Sequence, residues 1–243
     1  MPGGNGMSFL VRAREEFLSV AAHELKTPVT SLSAAVQFML RLLHRNGEVP
    51  TAHLEESLRV LREQSLKLSR LIDQLLDTSR IEGRRLQLEV APLDLAELTE
   101  SLVARFRADM PGHRFTFTRE GACIVAGDAL RLEQVVANLL DNAVKYSPAP
   151  GVVKVSVSRR GDQVALVVAD HGIGIPAEHL PHVFRAYFQG HAESHRSGLG
   201  LGLYISSQIV ELHGGALDVA SGVHQAARRH DTRAVWPDDA ALQ

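Results

Sequence analysis

A single cysteine, Cys123, stands in 243 residues, so the chain closes no disulfide within itself and builds no cysteine-rich zinc centre. That usage fits a reducing compartment. Aromatic residues are scarce, at 5%. Neither sign of charge dominates: 26 basic against 28 acidic side chains leave a formal net charge of −2, which excludes a global basic field for nucleic acid or anionic lipid. Any anionic ligand must be held locally. Long apolar runs are missing too. The longest, Val164 to Ala169, falls far short of the ~20 residues a membrane-spanning helix needs, and no signal-peptide pattern opens the sequence. What is present suits a folded chain: 45% hydrophobic and 22% charged residues, with length for one or two domains of roughly 100 to 200 residues each. The chain as given is expected to be soluble.

Met1 to Gly6, rich in glycine with one proline, reads as an unstructured start or a cut upstream in a longer protein. An apolar stripe then runs Leu18, Ala22, Leu25, Val29, Leu32, Val36, Met39, Leu43 in steps of four and three, the mark of a long helix with one buried seam. Asn46-Gly47 and Pro50 stop it, and a second stripe follows at Leu54, Leu58, Leu61, Leu68, Ile72 and Leu75. Two such helices make an antiparallel hairpin, which has one layer too few to cover both seams, so a second copy completing a four-helix bundle is expected. The pattern breaks between Ile81 and Leu93. Beyond it, Asp94 reads as an N-cap with Glu97 three residues on and Leu93 stapled to Leu98, opening a helix to about Arg107. Strands are expected around Phe115 and Phe117 and over 122–126, and Asp128 caps a helix through Tyr146. Val152 to Ser158 and Gln163 to Ala169 flank a hairpin turn. A short helix over Pro176 to Phe184 and a longer one over Leu201 to His213, closed by Gly214-Gly215, complete an α+β fold whose second part is a sandwich rather than a βαβ parallel sheet.

Three segments carry chemistry. Phe17 to Thr30 places His23, Glu24, Thr27 and Pro28 inside a regular helix. Pro28 removes the amide that would bond the Glu24 carbonyl, at ~3 kcal/mol in a helix interior. His23 follows Ala22 by about 100° of helix and should face water, where a neutral imidazole is a competent nucleophile and Glu24 can orient it or take its proton. Alone, such a histidine reads more readily as a surface residue on a kinked helix. In the second segment, Gln134, Asn138, Asn142 and Lys145 share one helical face. Mid-helix asparagines suit a hard cation such as Mg²⁺ shared with phosphates, although a solvated polar face has the same spacing. Third, Asp170 to Pro176 and Gly198 to Leu203 combine a carboxylate with glycines that let backbone approach a flat ligand and free amides meet phosphate. Each glycine cluster alone is also an ordinary turn, and neither matches a P-loop or a dinucleotide fingerprint.

In this order the segments resemble the sensor histidine kinases of two-component systems, whose ATP-binding domain is shared with gyrase, Hsp90 and MutL. Phe17 to Thr30 is similar to the phosphoacceptor H box, Asn138 to Tyr146 to the N box, Asp170 to Ile175 to the first glycine box, Phe184 to Phe188 to the F box, and Gly198 to Leu203 to the second glycine box. The resemblance implies a dimerisation and phosphotransfer hairpin over 8–82, an ATP-binding domain over 86–220 and a divergent tail over 221–243. It also implies that ATP phosphorylates His23, that Glu24 assists proton transfer and that Thr27 orients water in a phosphatase reaction. Asn138 and Asn142 would hold Mg²⁺, Lys145 would lie near the phosphates, Tyr146 against adenine and Asp170 on its amino group, with Gly172, Gly174, Gly198, Gly200 and Gly202 lining the nucleotide. Arg185 to Ser197, with His191 and His195, reads as a lid. Implied partners are a response-regulator receiver domain and a second copy of the chain. No nucleic acid is implied, the location is cytoplasmic, and a membrane enters only through a region absent from this chain. After Val219 the family's glycine-rich turn and closing strand are not evident, and only Val235-Trp236-Pro237 resembles that strand. A kinase-like scaffold without turnover and a plain ATPase are the two rival readings.

Overall fold

Heptad-spaced apolar residues give two long helices, α1 (Gly4–Asn46) and α2 (Thr51–Glu82), in a computed structural model that describes residues 4–147, 150–189, 198–224 and 227–237. The first helix already begins at Gly4, where no structure was expected; glycine costs little in a first turn whose amides lack intrahelical partners anyway. Pro28 lies inside α1, and the helix runs through it unbroken. Of the expected α1 seam, Leu25, Leu32 and Met39 are half-buried, whereas Ala22, Val29, Val36 and Leu43 are exposed. Along α2, Leu54, Leu58 and Ile72 are exposed, and Leu61, Leu68 and Leu75 are half-buried. One hairpin can cover only one side of each stripe, and the other side of both is left apolar and open.

The chain divides into two compact units: one holds the hairpin up to Ser79 together with Gly198 and Leu199, and the other holds the sheet domain from Arg80 onward apart from those two residues. In the second, β1 (Ala91–Asp94) pairs antiparallel with β3 (Ile124–Gly127). The main sheet has the order β2-β4-β5-β7-β6, with β2 (His113–Glu120), β4 (Gly151–Arg160), β5 (Gln163–Asp170), β6 (Ala216–His224) and β7 (Ala227–Pro237). Only β2 and β4 run parallel among these pairs. Three helices, α3 (Leu95–Asp109), α4 (Ala129–Tyr146) and α5 (Gly202–Leu212), complete the layer. Period-two burial makes one sheet face the core: Val153, Val155, Val157, Leu166, Ala234 and Trp236 are all buried, against Leu102, Leu132, Val136 and Ile209 from the helices.

Local signals place the helix starts. Asp94 caps α3, accepting from the amides of Ala96 at 3.0 Å and Glu97 at 3.2 Å. Asp128 caps α4 through Arg131 N–H and also accepts from Glu89 N–H at 3.0 Å. Burial works against its charge, yet these backbone donors hold its carboxyl below the ordinary aspartate range. His213 closes the same corner: its Nε2 accepts from Asp128 N–H at 3.0 Å while Nδ1 lies 2.7 Å from the Ile209 carbonyl. Only a neutral ring protonated on Nδ1 satisfies both.

One further expectation is corrected. Pro176 to Phe184 forms no helix beyond a 3₁₀ turn at Leu180–His182, because Pro181 has no amide to donate and crowds the preceding turn. The sequence leaves open whether the stretch after Ser221 folds; β6 continues to His224, and β7 occupies an interior place between β5 and β6.

Candidate functional site

In the hairpin, His23 is exposed, Glu24 half-buried and Thr27 exposed, while Pro28 is buried. The small buried neighbour is Ala21, not Ala22, but the sequence-based consequence is unchanged: the imidazole faces water. Thr27 Oγ1 donates to the His23 carbonyl at 3.1 Å, and Ser31 Oγ to the Thr27 carbonyl at 3.2 Å. Side-chain hydroxyls thus supplement the backbone ladder on the turn where Pro28 interrupts it.

In the sheet domain, α4 divides as its spacing requires. Leu132, Val135, Val136, Leu139 and Ala143 are buried, and Gln134, Asn138, Asn142 and Lys145 are half-buried on the other side. Asn138 Nδ2 donates to Ser206 Oγ on α5 at 2.9 Å. That leaves its carbonyl oxygen close to Gly202, where a side chain's first carbon would collide with it. Asn142 lies one turn on, half-buried on the same side of α4. Two carboxamides one turn apart are a donor set that fits a hard divalent cation. Lys145 Nζ stands 5.1 Å from the centre of the Tyr146 ring.

The Asp170 carboxylate is buried at the end of β5, and its Oδ1 accepts from Gly172 N–H at 2.6 Å. The Tyr146 carbonyl accepts from Ile173 N–H at 3.1 Å. Gly172 is boxed in by Asp170 and the Tyr146 carbonyl, so no side chain fits there. The other end of the loop is held by Ser221 Oγ, which accepts from Ile175 N–H at 2.9 Å. Gly200, at φ +67°, accepts from Tyr187 N–H at 3.0 Å, and a side chain there would strike the Phe188 backbone. This joins the F-box segment to the second glycine segment. Burial pushes the Tyr187 phenol up to about 12, so the ring carries a neutral hydroxyl at physiological pH. Gly202 opens α5, whose N-cap, Leu201, offers no side-chain acceptor to the first-turn amides.

The structure therefore brings Asn138, Asn142, Lys145, Tyr146, Asp170, Gly172, Gly174, Gly200 and Gly202 into one domain, and His23, Glu24 and Thr27 onto one stretch of α1. Gly198 lies two residues before Gly200. The expected lid falls outside the described residues beyond Gln189, and so do His191 and His195. Among the described residues, no three histidine, cysteine or acidic side chains gather as a metal site. Sequence reasoning missed Ser206 and Ser221. The first was detectable as a hydroxyl one turn after Gly202 in an apolar helix. The second lay in the stretch read as divergent.

Gly202→Ala is expected to destabilise the sheet domain. Overpacking against a tethered Asn138 costs about 1–3 kcal/mol, and alanine gains little helix propensity in return at the first residue of α5. Denaturant unfolding of Gly202→Ala in an Asn138→Ala background checks the cause, since there the substitution should become neutral or stabilising.

Two family models match the chain: the His Kinase A (phospho-acceptor) domain over residues 13–84 and the histidine kinase-, DNA gyrase B- and HSP90-like ATPase over residues 127–237. The sensor histidine kinase YkoH of Bacillus subtilis is 32% identical over 210 residues, covering 86% of this chain and 45% of YkoH. Among solved structures, the mycobacterial sensor histidine kinase MprB is 33% identical with a TM-score of 0.56, covering 60% of this chain and 97% of the solved one. Histidine kinase ThkA, solved in complex with the response regulator TrrA, shares the fold at 22% identity and a TM-score of 0.58, covering 91% of this chain and 64% of that one. The chain spans 36% to 60% of the length of curated relatives such as KinB of Pseudomonas aeruginosa and SasA of Synechocystis. Both family models, in the order the boxes require, and relatives of this kind place the chain in the two-component sensor histidine kinase family.

Proposed function

We propose that this chain is the kinase core of a two-component sensor: it binds ATP in the sheet domain, phosphorylates His23 and passes the phosphoryl group to an aspartate of a response regulator. The observation that carries the reading is the buried Asp170 carboxylate, pinned to Gly172 N–H beside the Tyr146 carbonyl. A carboxylate buried beside glycine backbone is suited to accept from an exocyclic amine. Tyr146 offers a ring face for the base, and Lys145 offers positive charge for the phosphates. Asn138 and Asn142 would hold Mg²⁺, whose chemistry there is neutralisation of phosphate charge. The Asn138 oxygen is the atom left for it, since Nδ2 is committed to Ser206.

In the transfer, an imidazole nitrogen of His23 forms a bond to the γ-phosphorus in line with the departing bridge oxygen, and that P–O bond breaks to release ADP. The ring's proton passes to Glu24. Thr27 is the residue proposed to orient water when the phosphoryl group is removed from the regulator. The open apolar sides of α1 and α2, including Val29, Val36, Leu54 and Leu58, are proposed to meet those of a second copy. The response-regulator partner is supported by the complex in which ThkA was solved. No helix among the described residues is long and apolar enough to cross a membrane. The chemistry needs ATP and a receiver domain, so the cytoplasm is the proposed location.

Incubation with γ-labelled ATP and Mg²⁺ tests the reading. Label on the protein that survives base and is lost in acid is the expected result. Nucleotide binding without label would mark a scaffold, and phosphate release without labelled protein would mark a plain ATPase.

A further inference from the structure

Asp170, His230 and Ser221 occupy one row of the sheet: Asp170 on β5 is in register with His230 on β7, and His230 with Ser221 on β6. Residues in one row share a face, and two strand spacings separate the ends of this row by about 9–10 Å. The segment from Asp170 to Ile175 joins the two ends of that row. At its start the Asp170 carboxylate takes Gly172 N–H, and at its far end the Ser221 hydroxyl takes Ile175 N–H at 2.9 Å. Gly174 makes the link possible. Its φ of +74° is a left-handed conformation, and a side chain there would press within 3.2 Å of Ser221 Oγ.

We propose that Ser221 is a positioning residue for nucleotide-base recognition: its hydroxyl fixes the far end of the loop whose near end carries Asp170, and so sets the adenine preference of the pocket. The inference rests on the ATP reading given above. Without the hydroxyl, the part-buried Ile175 N–H loses its acceptor and the loop must move to find another. The displacement acts on base binding and leaves the distant phosphoryl chemistry alone.

The test compares wild type, Ser221→Ala and Ser221→Thr in the full chain, measuring affinity for ATP and GTP by calorimetry and autophosphorylation at varied ATP. Ser221→Ala is expected to weaken ATP binding about tenfold and narrow the ATP-over-GTP ratio. KM should rise while kcat at saturation holds, and Ser221→Thr, which keeps the hydroxyl on a strand, should restore both. Wild-type affinity and base preference in folded Ser221→Ala would overturn the proposal, as would an equal loss in both variants that tracks their unfolding temperatures. If Ser221→Ala does not fold, hydrogen exchange of the Ile175 amide in the wild type decides: slow exchange supports the anchor, and free-loop exchange overturns it. A wild-type chain that binds neither nucleotide overturns the ATP reading and this proposal together, a result distinct from the other outcomes.

Discussion

His23→Gln is expected to reduce phosphoryl label on the chain to background while nucleotide affinity stays that of the wild type. The ring is exposed and makes no core contact, so its replacement falls in the class of surface changes within about ±0.5 kcal/mol in stability. Glutamine keeps length and polarity but has no lone pair of imidazole basicity to bond phosphorus. The α1 turn should persist, because Thr27 Oγ1 bonds the His23 backbone carbonyl and not its side chain. Label counting after acid and base treatment, with circular dichroism and nucleotide titration on the same samples, checks all three statements. Label that survives in His23→Gln would show that another residue accepts the phosphoryl group.

Trp236→Ala should have the largest effect on stability. The indole is buried on the interior strand β7, in register with Val164 of β5. Aromatic-to-alanine changes in a core cost about 3–5 kcal/mol, a large part of the ~5–15 kcal/mol a domain has in total. At about 2–4 °C per kcal/mol for a domain of this size, the thermal midpoint should fall by roughly 10 °C. Trp236→Phe is expected to cost far less. Among the described residues the buried indole Nε1 has no hydrogen-bond partner, so phenylalanine loses volume but also removes an unsatisfied donor. Differential scanning calorimetry of both variants separates these terms. A Trp236→Ala domain as stable as the wild type would mean that β7 does not belong to the core.

What could be read in the sequence was local. Asp94 and Asp128 announce their helices because a cap needs only the three or four residues beside it, and both cap as expected. The β4–β5 hairpin is equally self-contained, closed by Gly161 at φ +66°. The α4 spacing separates core from polar face without reference to any other element. What was missed is non-local. Nothing near Ser221 indicates that its hydroxyl will meet Ile175, nor near Ser206 that it will meet Asn138. His213 looks like an ordinary end of helix until α4 and α5 are set side by side. The segment 227–237 lacks a clean alternation, and basic residues crowd its first half. Its place between β5 and β6 comes from pairing on both sides, which no single-strand pattern records.

The order of the strands also governs how this protein can be made. β7 is the last strand among the described residues, yet it lies between two that precede it. While the ribosome is still translating the codons before Pro237, β5 and β6 have no neighbour to join them, and α4 and α5 have only part of a floor to rest on. The helical pair has by then long left the exit tunnel, since its last residue is Glu82, and domains fold as units in order of emergence. A nascent chain therefore carries both long helices, apolar on their open side, well before it carries a closed sheet.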